Sequence, residues 1–228
     1  MNPSDTEQAL KRSPLFAGLA RPDLERITKL ARSRVFTEGD VLFRRDDPPG
    51  PVYVIKTGRI KIEVSSLDGK ETLLAYLSPG DCFGEMGALD ELARSADAVA
   101  IERTETLYFG KEDFVSIVTG TPSLALELFR QVGRRLRETN QLVAELVFFD
   151  VQSRVARRLL ELGESFGTRT SEGVEIQIPM TQQDLANMVG ATREMVNRAI
   201  SHYRVAGHIL QKANRFILVH PEALEGDL

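Results

Sequence analysis

One stretch of the chain constrains its fold more than any other, because its apolar residues recur at the spacing of a single long helix. From position 122 to 149 the apolar stripe advances in steps of three and four residues, through Phe129, Val132, Leu136, Thr139, Val143 and Leu146. This is the heptad pattern of helices that pair along a seam. We expect a second copy of the chain to cover the stripe in a parallel dimer. The alternative is that the stripe packs only on its own β domain.

The residues before this helix follow the rhythm of short β-strands separated by turns. Apolar runs such as VLF, VYVI, IKIEV and TLLAYL alternate with turn sequences such as DDPPG, SLDG and SPGD. Turns at intervals of about ten residues predict a β-sandwich, barrel or roll over residues 34–109, after a helical opening marked by Leu24, Ile27 and Leu30. The rhythm breaks at GEMGALDELARSADA, residues 84–98, which we expect to be a loop between strands.

This loop carries side chains suited to a phosphate. Gly84 allows a close approach of backbone to a ligand, and Arg94 presents a planar fork of donors that fits a phosphate. Glu85 stands nine residues before Arg94 and supplies a carboxylate for a polar group beside the phosphate. The alternative is a surface helix on which the two charges have no common role.

Composition excludes several classes of protein. The 228 residues, 42% apolar and 27% charged, suffice for two domains. No apolar run reaches the roughly 20 residues of a membrane span, and the first residues lack the apolar stretch of a signal peptide, so we predict a cytoplasmic protein without a membrane partner. Cys82 is the single cysteine, which disfavours a metal centre.

The segment MTQQDLANMVGATREMVNRAISHYRVAGHI predicts two short helices that cross at a turn. Thr181 and Asp184 form a capping-box pattern, Gly190 ends the first helix, and Thr192 caps the second. This arrangement is typical of a helix-turn-helix. The second helix turns Val196, Ala199, Ile200 and Tyr203 inward and places these polar residues outward: Arg193, Glu194, Asn197, Arg198 and Ser201.

The outward residues have the chemistry of major-groove readout. Arginine forks recognise guanine, and a carboxylate accepts from the amino group of cytosine. In the following segment, QKANRFILV, polar and apolar residues alternate as in a β-hairpin. Such a hairpin would form a wing from which Lys212 and Arg215 can reach phosphates. Residues 151–220 carry nine Lys and Arg against six Asp and Glu, although the whole chain has a net charge of −4. The alternative is a helix pair that serves only packing.

Four segments in this order resemble the superfamily of the cyclic-AMP receptor protein and the fumarate and nitrate reduction regulator, especially its cyclic-AMP receptor branch. They are the β-roll, the cassette FGEMGALDELARSA, the long helix RRLRETNQLVAELVFFDVQSRVARRLL, and GATREMVNR. The resemblance implies an α+β chain with three parts: a cyclic-nucleotide-binding β-roll over 1–121, a dimerisation helix and hinge over 122–150, and a winged helix-turn-helix domain over 151–228.

The resemblance also implies how a cyclic nucleotide is held. Gly84-Glu85 and Arg94-Ser95-Ala96 match the family's phosphate-binding cassette. Glu85 would accept from the ribose 2′-hydroxyl and help to hold the fork of Arg94, while Arg94 and Ser95 would bind the cyclic phosphate. We expect Arg94→Ala to remove binding without unfolding the chain.

Further pocket residues follow from the same resemblance. Thr139 matches a family threonine that meets adenine and so favours cAMP over cGMP, whereas Asn140 stands where the family has serine. Ile62 and Leu74 would line the pocket.

The DNA-binding helix matches the family pattern at Arg193, Glu194 and Arg198, which implies an inverted repeat resembling TGTGA and TCACA. Asn197 replaces a common glycine.

The function implied is a cAMP-responsive, homodimeric transcription activator that binds double-stranded DNA and contacts RNA polymerase. A haem or redox sensor is disfavoured, because the histidines lie at 202, 208 and 220 and cysteine is scarce. An enzyme is disfavoured because the residues after 150 hold no pair of nucleophile and base beside a phosphate loop. A regulator of the same fold with another effector, or with a cassette kept only for folding, stays open.

Overall fold

The computed structural model describes residues 3–65 and 71–226 of the chain. These residues divide into two compact units, Met1–Leu136 and Arg137–Leu228, and the division falls inside one long helix. The turn predicted at residues 66–69 lies outside the described residues. No helix in the described part of the chain combines the length and apolar character of a membrane span.

The first unit is a β-roll flanked by helices, as the strand rhythm predicted. Its strands are β1 (Arg32–Phe36), β2 (Val41–Phe43), β3 (Val52–Thr57), β4 (Ile60–Ser65), β5 (Glu71–Leu77), β6 (Cys82–Phe83), β7 (Asp97–Ala100) and β8 (Thr104–Phe109). They form two four-stranded sheets, ordered β1-β8-β3-β6 and β2-β7-β4-β5. The strand pairs are antiparallel throughout the roll.

Two apolar cores explain why VYVI is apolar at every position. Tyr53 and Ile55 point into a core between the two sheets, together with Phe36 and Phe83. Val52 and Val54 face the opposite side, where helices cover the sheet. The covering helices are α1 (Pro3–Arg12), α2 (Pro14–Ala17), α3 (Arg21–Leu30), α5 (Lys111–Thr119) and the start of α6 (Pro122–Phe148). Because β3 is buried on both faces, its sequence does not alternate.

The segment expected to be a loop is partly regular. It contains a short helix, α4 (Glu85–Asp90), directly after β6. The expectation of a continuous loop was therefore wrong, because the six residues between Gly84 and Glu91 suffice for about one and a half helical turns.

The long helix is confirmed as α6, Pro122–Phe148. It is followed by α7, Val151–Phe166, whose N-cap is Asp150. The Asp150 carboxylate accepts a hydrogen bond from the Ser153 N–H at 2.8 Å, and that backbone donor lowers the pKa of Asp150. The helical path is thus interrupted at residues 149 and 150, the position of the expected hinge.

The second unit has a helical core beside a four-stranded antiparallel sheet. Its further elements are β9 (Gly167–Thr170), β10 (Gly173–Ile176), α8 (Gln182–Val189), α9 (Arg193–Val205), β11 (Ile209–Lys212), β12 (Arg215–Leu218) and α10 (Pro221–Glu225), with the strand order β11-β12-β10-β9. Buried residues of α7, α8 and α9 fill the space between these helices, among them Leu159, Leu185 and Ile200. The expected α+β class is confirmed.

Candidate functional site

Gly84 joins β6 to α4 in a conformation that side chains rarely adopt. Its φ of +80° lies in the left-handed region, which glycine enters without a steric penalty. A Cβ at this position would lie 2.7 Å from Nη1 of Arg94 and 3.1 Å from the carbonyl oxygen of Pro51. Glycine is therefore required both by the backbone and by the approach of the guanidinium.

Arg94 is almost fully enclosed, with 4% of its surface exposed. Its Nη1 donates to the Gly84 carbonyl at 2.7 Å, and its Nη2 donates to the Pro51 carbonyl at 2.8 Å. The guanidinium carbon lies 4.2 Å from the ring centroid of Phe43. Burial lowers the pKa of Arg94, yet an arginine stays protonated near neutral pH. The site thus holds a buried cation in a defined orientation.

The structure corrects the expected partner of Arg94. Glu85, predicted to hold the fork of Arg94, is instead paired with Arg135 of α6, whose Nη1 donates to Glu85 Oε1 at 2.5 Å. Arg135 Nη2 also donates to the Cys82 carbonyl at 2.6 Å. Backbone carbonyls rather than a carboxylate orient Arg94, since Gly84 and Pro51 bring theirs to the two ends of its fork.

Arg135 was missed by the sequence argument, although a signal for it exists. It lies four residues before Thr139, so the two side chains share one face of the helix. The structure shows that it neutralises Glu85, which is only 1% exposed.

Two buried polar atoms of the cassette have no hydrogen-bond partner among the described residues. They are Oε2 of Glu85 and Nε of Arg94. One is an acceptor and the other a donor. Unpaired polar atoms in buried positions are uncommon in proteins and call for an explanation such as an absent ligand.

The other expected pocket residues of the roll have different surroundings. Ser95 is exposed, and Ala96 is buried. Ile62 is half-buried and packs on the core between the sheets. Leu74 lies at a bulge, because Ile62 pairs with Ala75 while the next residue of β4 pairs with Leu73; it is 45% exposed.

Thr139 and Asn140 lie on α6 beyond the division between the units, and both are exposed. The apolar members of the heptad stripe are exposed as well, including Phe129 at 76% and Leu136 at 60%. The exposure of Phe129 and Leu136 in the first unit contradicts the alternative that the stripe packs only on its own β domain.

The helix-turn-helix is capped as predicted. The Thr181 hydroxyl accepts from the Asp184 N–H at 3.1 Å, and the Asp184 carboxylate accepts from the Thr181 N–H at 2.7 Å. Gly190 ends α8 with a left-handed φ of +62°. Thr192 then caps α9 by accepting from the Met195 N–H at 3.3 Å. These caps fix the ends of the two helices.

The expected inner and outer faces of α9 are both found. Val196, Ala199, Ile200 and Tyr203 are buried. The outward residues are all exposed: Arg193, Glu194, Asn197, Arg198 and Ser201. The helix therefore presents two guanidinium groups and one carboxylate within its first two turns.

The wing is the hairpin of β11 and β12, with Lys212 opposite Arg215. Both cations are exposed, and both contact residues in β10 or directly beside it. Lys212 contacts Glu172, while Arg215 Nη1 contacts Glu175 at 3.1 Å and Gln177 at 3.0 Å. The two expected phosphate contacts thus already have partners in the free chain.

Comparison with known proteins finds two families that match the chain. Residues 33–121 match the family described as the cyclic nucleotide-binding domain, and residues 153–226 match the Crp-like helix-turn-helix domain.

The chain is 31% identical to the CRP-like cAMP-activated global transcriptional regulator of Mycobacterium tuberculosis over 96% of this chain and 97% of that protein. It is 34% identical to the cyclic AMP receptor protein of Thermus thermophilus, covering 84% and 85% of the two chains. Among solved structures, the c-di-GMP responsive global regulator CLP of Xanthomonas campestris shares the fold with a TM-score of 0.78 at 24% identity, over 87% of this chain and 99% of that one.

The chain belongs to the superfamily of the cyclic-AMP receptor protein and the fumarate and nitrate reduction regulator. It is a transcription regulator with a cyclic-nucleotide-binding domain and a DNA-binding helix-turn-helix domain. Members of this family are DNA-binding regulators rather than enzymes.

Proposed function

We propose that the protein is a cAMP-responsive homodimer that activates transcription from inverted repeats resembling TGTGA and TCACA. The single observation that carries the effector assignment is the pair of unpartnered, buried atoms in the cassette, Glu85 Oε2 and Arg94 Nε. The relatives from Mycobacterium tuberculosis and Thermus thermophilus, both named for cAMP, support the same effector. Contact with RNA polymerase and a cytoplasmic location follow from this role.

The donor and acceptor left in the cassette fit the chemistry of a cyclic nucleotide. A cyclic phosphate is an anion and needs donors, which Arg94 Nε and the exposed Ser95 supply, next to the small Ala96. A ribose 2′-hydroxyl is a donor and needs an acceptor, which Glu85 Oε2 supplies. We assign the adenine base to Thr139 and Asn140 and part of the apolar lining to Ile62 and Leu74. In this role the hydrogen bond from Arg135 fixes the position of the Glu85 carboxyl group.

A second reading is favoured by one observation. Both terminal nitrogens of Arg94 already donate to backbone carbonyls, as expected of a side chain kept for folding. The regulator would then respond to another effector, such as the cyclic dinucleotide named for the Xanthomonas relative, or to none.

Titration calorimetry separates these readings. The wild-type protein is titrated with cAMP, with cGMP and with cyclic di-GMP. We expect saturable heat with cAMP, weaker binding of cGMP and none of the dinucleotide. Tight binding of the dinucleotide alone, or no heat with any of the three, would replace the cAMP assignment.

Dimerisation through α6 is proposed because the stripe from Phe129 to Leu146 is exposed and, apart from Thr139, apolar. In Leu136→Glu, two carboxylates would meet at facing seam positions, so we expect sedimentation to report a monomer at concentrations where the wild type is a dimer. Gln141→Glu is the matched control, since residue 141 lies away from the stripe. A Leu136→Glu variant with the mass of a dimer would contradict the seam.

Coupling of nucleotide binding to DNA binding requires that the nucleotide favour one of two arrangements of the dimer. Thr139 and Asn140 lie on the proposed dimer helix, and the helical break at residues 149 and 150 follows it. We propose that this break transmits the preference to α9, so that the two recognition helices match successive major grooves about 34 Å apart.

A further inference from the structure

Phe43 provides a flat surface beneath the guanidinium of Arg94. The distance from the guanidinium carbon to the ring centroid is 4.2 Å. Phe43 ends β2, where it pairs with Ala98 of β7, and the register between these strands shifts between Val41 and Phe43. Such a bulge re-aims the side chain that follows it and is common beside binding sites.

The ring and the two carbonyls restrict different motions of Arg94. The hydrogen bonds to Gly84 and Pro51 fix the rotation of the guanidinium within its own plane. They do little against tilting, because the guanidinium plane can still rotate about the line that joins its two terminal nitrogens. The aromatic face of Phe43 opposes that tilt. Together the three contacts define the direction of Nε–H, the one buried donor of Arg94 that has no partner among the described residues.

The ring itself is held by other aromatic side chains. Its centroid lies 6.2 Å from that of Tyr53 and 6.0 Å from that of Phe83, distances typical of tilted aromatic pairs. Arg94 is shielded from water, and a cation over an aromatic face is attracted more strongly when it is desolvated. A leucine would fill much of the same space without offering the negative face of a ring.

We propose that Phe43 is a positioning residue for the effector phosphate, because it fixes the plane of the Arg94 guanidinium. This inference rests on the proposed cyclic-nucleotide function. Phe43 acts through Arg94 and is not itself assigned a contact with the nucleotide. The role expected earlier for Glu85, holding the fork of Arg94, belongs in part to this ring.

Calorimetry on the full-length dimer tests the role. We expect Phe43→Leu to weaken cAMP binding about 10-fold, and Phe43→Tyr, which keeps the ring, to stay within about 2-fold of the wild type. Phe36→Leu is the matched control, because Phe36 contacts the same Tyr53 ring but not Arg94. The guanidinium carbon over the Phe36 ring is that of Arg34, 4.9 Å from the ring centroid. The affinity of this control for cAMP should be unchanged. Wild-type affinity in Phe43→Leu, or an equal loss in Phe36→Leu, overturns the inference while the proposed function stands.

Urea unfolding without ligand supplies a second measurement that a general loss of packing would not reproduce. Arg94→Lys keeps a cation but loses the flat group that lies over the ring. The combined Phe43→Leu and Arg94→Lys variant should lose less stability than the sum of the two single losses. Additive losses would show that the ring and the guanidinium do not act together and would overturn the inference. A wild type that binds no cyclic nucleotide overturns the proposed function, and this role with it.

Discussion

The phosphate cassette and the recognition helix use the same residue types in opposite surroundings. In the cassette, Glu85 and Arg94 are buried, and their charges contact Arg135, backbone carbonyls and an aromatic ring. In α9, Arg193, Glu194 and Arg198 are exposed. A buried charge depends on each of its partners, because removal of one leaves the other desolvated and unpaired. An exposed charge keeps water as its partner and contributes little to folding.

This difference predicts which property each substitution changes. Substitutions in the cassette should lower stability and ligand affinity together. Substitutions on the outer face of α9 should leave stability unchanged and affect only DNA binding.

The largest effect is expected for Arg135→Ala, which would leave the carboxylate of Glu85 buried without its cation. We expect the free energy of unfolding to fall by about 3 kcal/mol, the lower end for a broken buried pair, since the Arg135 side chain is partly exposed. Urea denaturation measures it. The neighbouring Arg134→Ala is the control, because Arg134 is half exposed and lies 3.8 Å from Glu127; its loss should stay below about 0.5 kcal/mol. Equal small losses in both variants would contradict a buried network.

Arg94→Ala should have the next largest effect on stability. The carbonyls of Gly84 and Pro51 would lose their charged donor, and a hydrogen bond from a charged group contributes about 1.5–3 kcal/mol to the free energy of unfolding. Calorimetry of the same variant should show no cAMP binding. The expectation that this variant loses its ligand without unfolding stays a prediction, and the burial of Arg94 adds a loss of stability to it. An unchanged urea midpoint would mean that Arg94 contributes nothing to the fold.

Glu194→Ala tests the exposed side of the comparison. Its urea midpoint should match the wild type, since exposed substitutions stay within about 0.5 kcal/mol. Discrimination at one base pair of each half-site should fall by about 1–3 kcal/mol, because the carboxylate gains energy only from a cytosine amino group and repels phosphate elsewhere. Competition binding with a panel of single-substituted duplexes gives this number. If the order of the duplex affinities and the ratios between them stay those of the wild type, Glu194 does not read a base.

The smallest effect is expected for Lys212→Ala. A phosphate contact lowers affinity for all sequences about equally when it is lost, and reduces the slope of log affinity against log salt by about 1. Lys212 already contacts Glu172, so part of its charge is neutralised before DNA binds and the slope should change by less than 1. A change confined to one sequence would assign Lys212 a role in base readout instead.

The sequence predicted the features that local patterns encode. The heptad spacing identified α6, and the Thr181–Asp184 box with Gly190 identified the ends of α8, since helix periodicity and caps depend on residues within one or two turns. The outer face of α9 followed from the same periodicity. These parts of the site needed no knowledge of tertiary contacts.

The sequence did not predict the contacts that join distant segments. Arg135 is 50 residues from Glu85 along the chain. Phe43 ends β2, whereas Arg94 lies between α4 and β7. No local spacing encodes such a pair, and Glu85 was expected to hold Arg94 because both belong to the cassette that resembles the family's. The short helix α4 was missed for a related reason, because six residues carry too few apolar positions to define a period.

Selection of binding sites from random duplex DNA, with and without cAMP, tests the central claim most directly. In the presence of cAMP, the wild-type protein should enrich an inverted repeat resembling TGTGA and TCACA, with half-sites one helical turn apart. Without cAMP, enrichment of this repeat should be strongly reduced, because the effector is proposed to favour the arrangement that fits DNA. No inverted repeat under either condition, or the same repeat with equal enrichment under both, would contradict a cAMP-responsive dimer that reads DNA through α9.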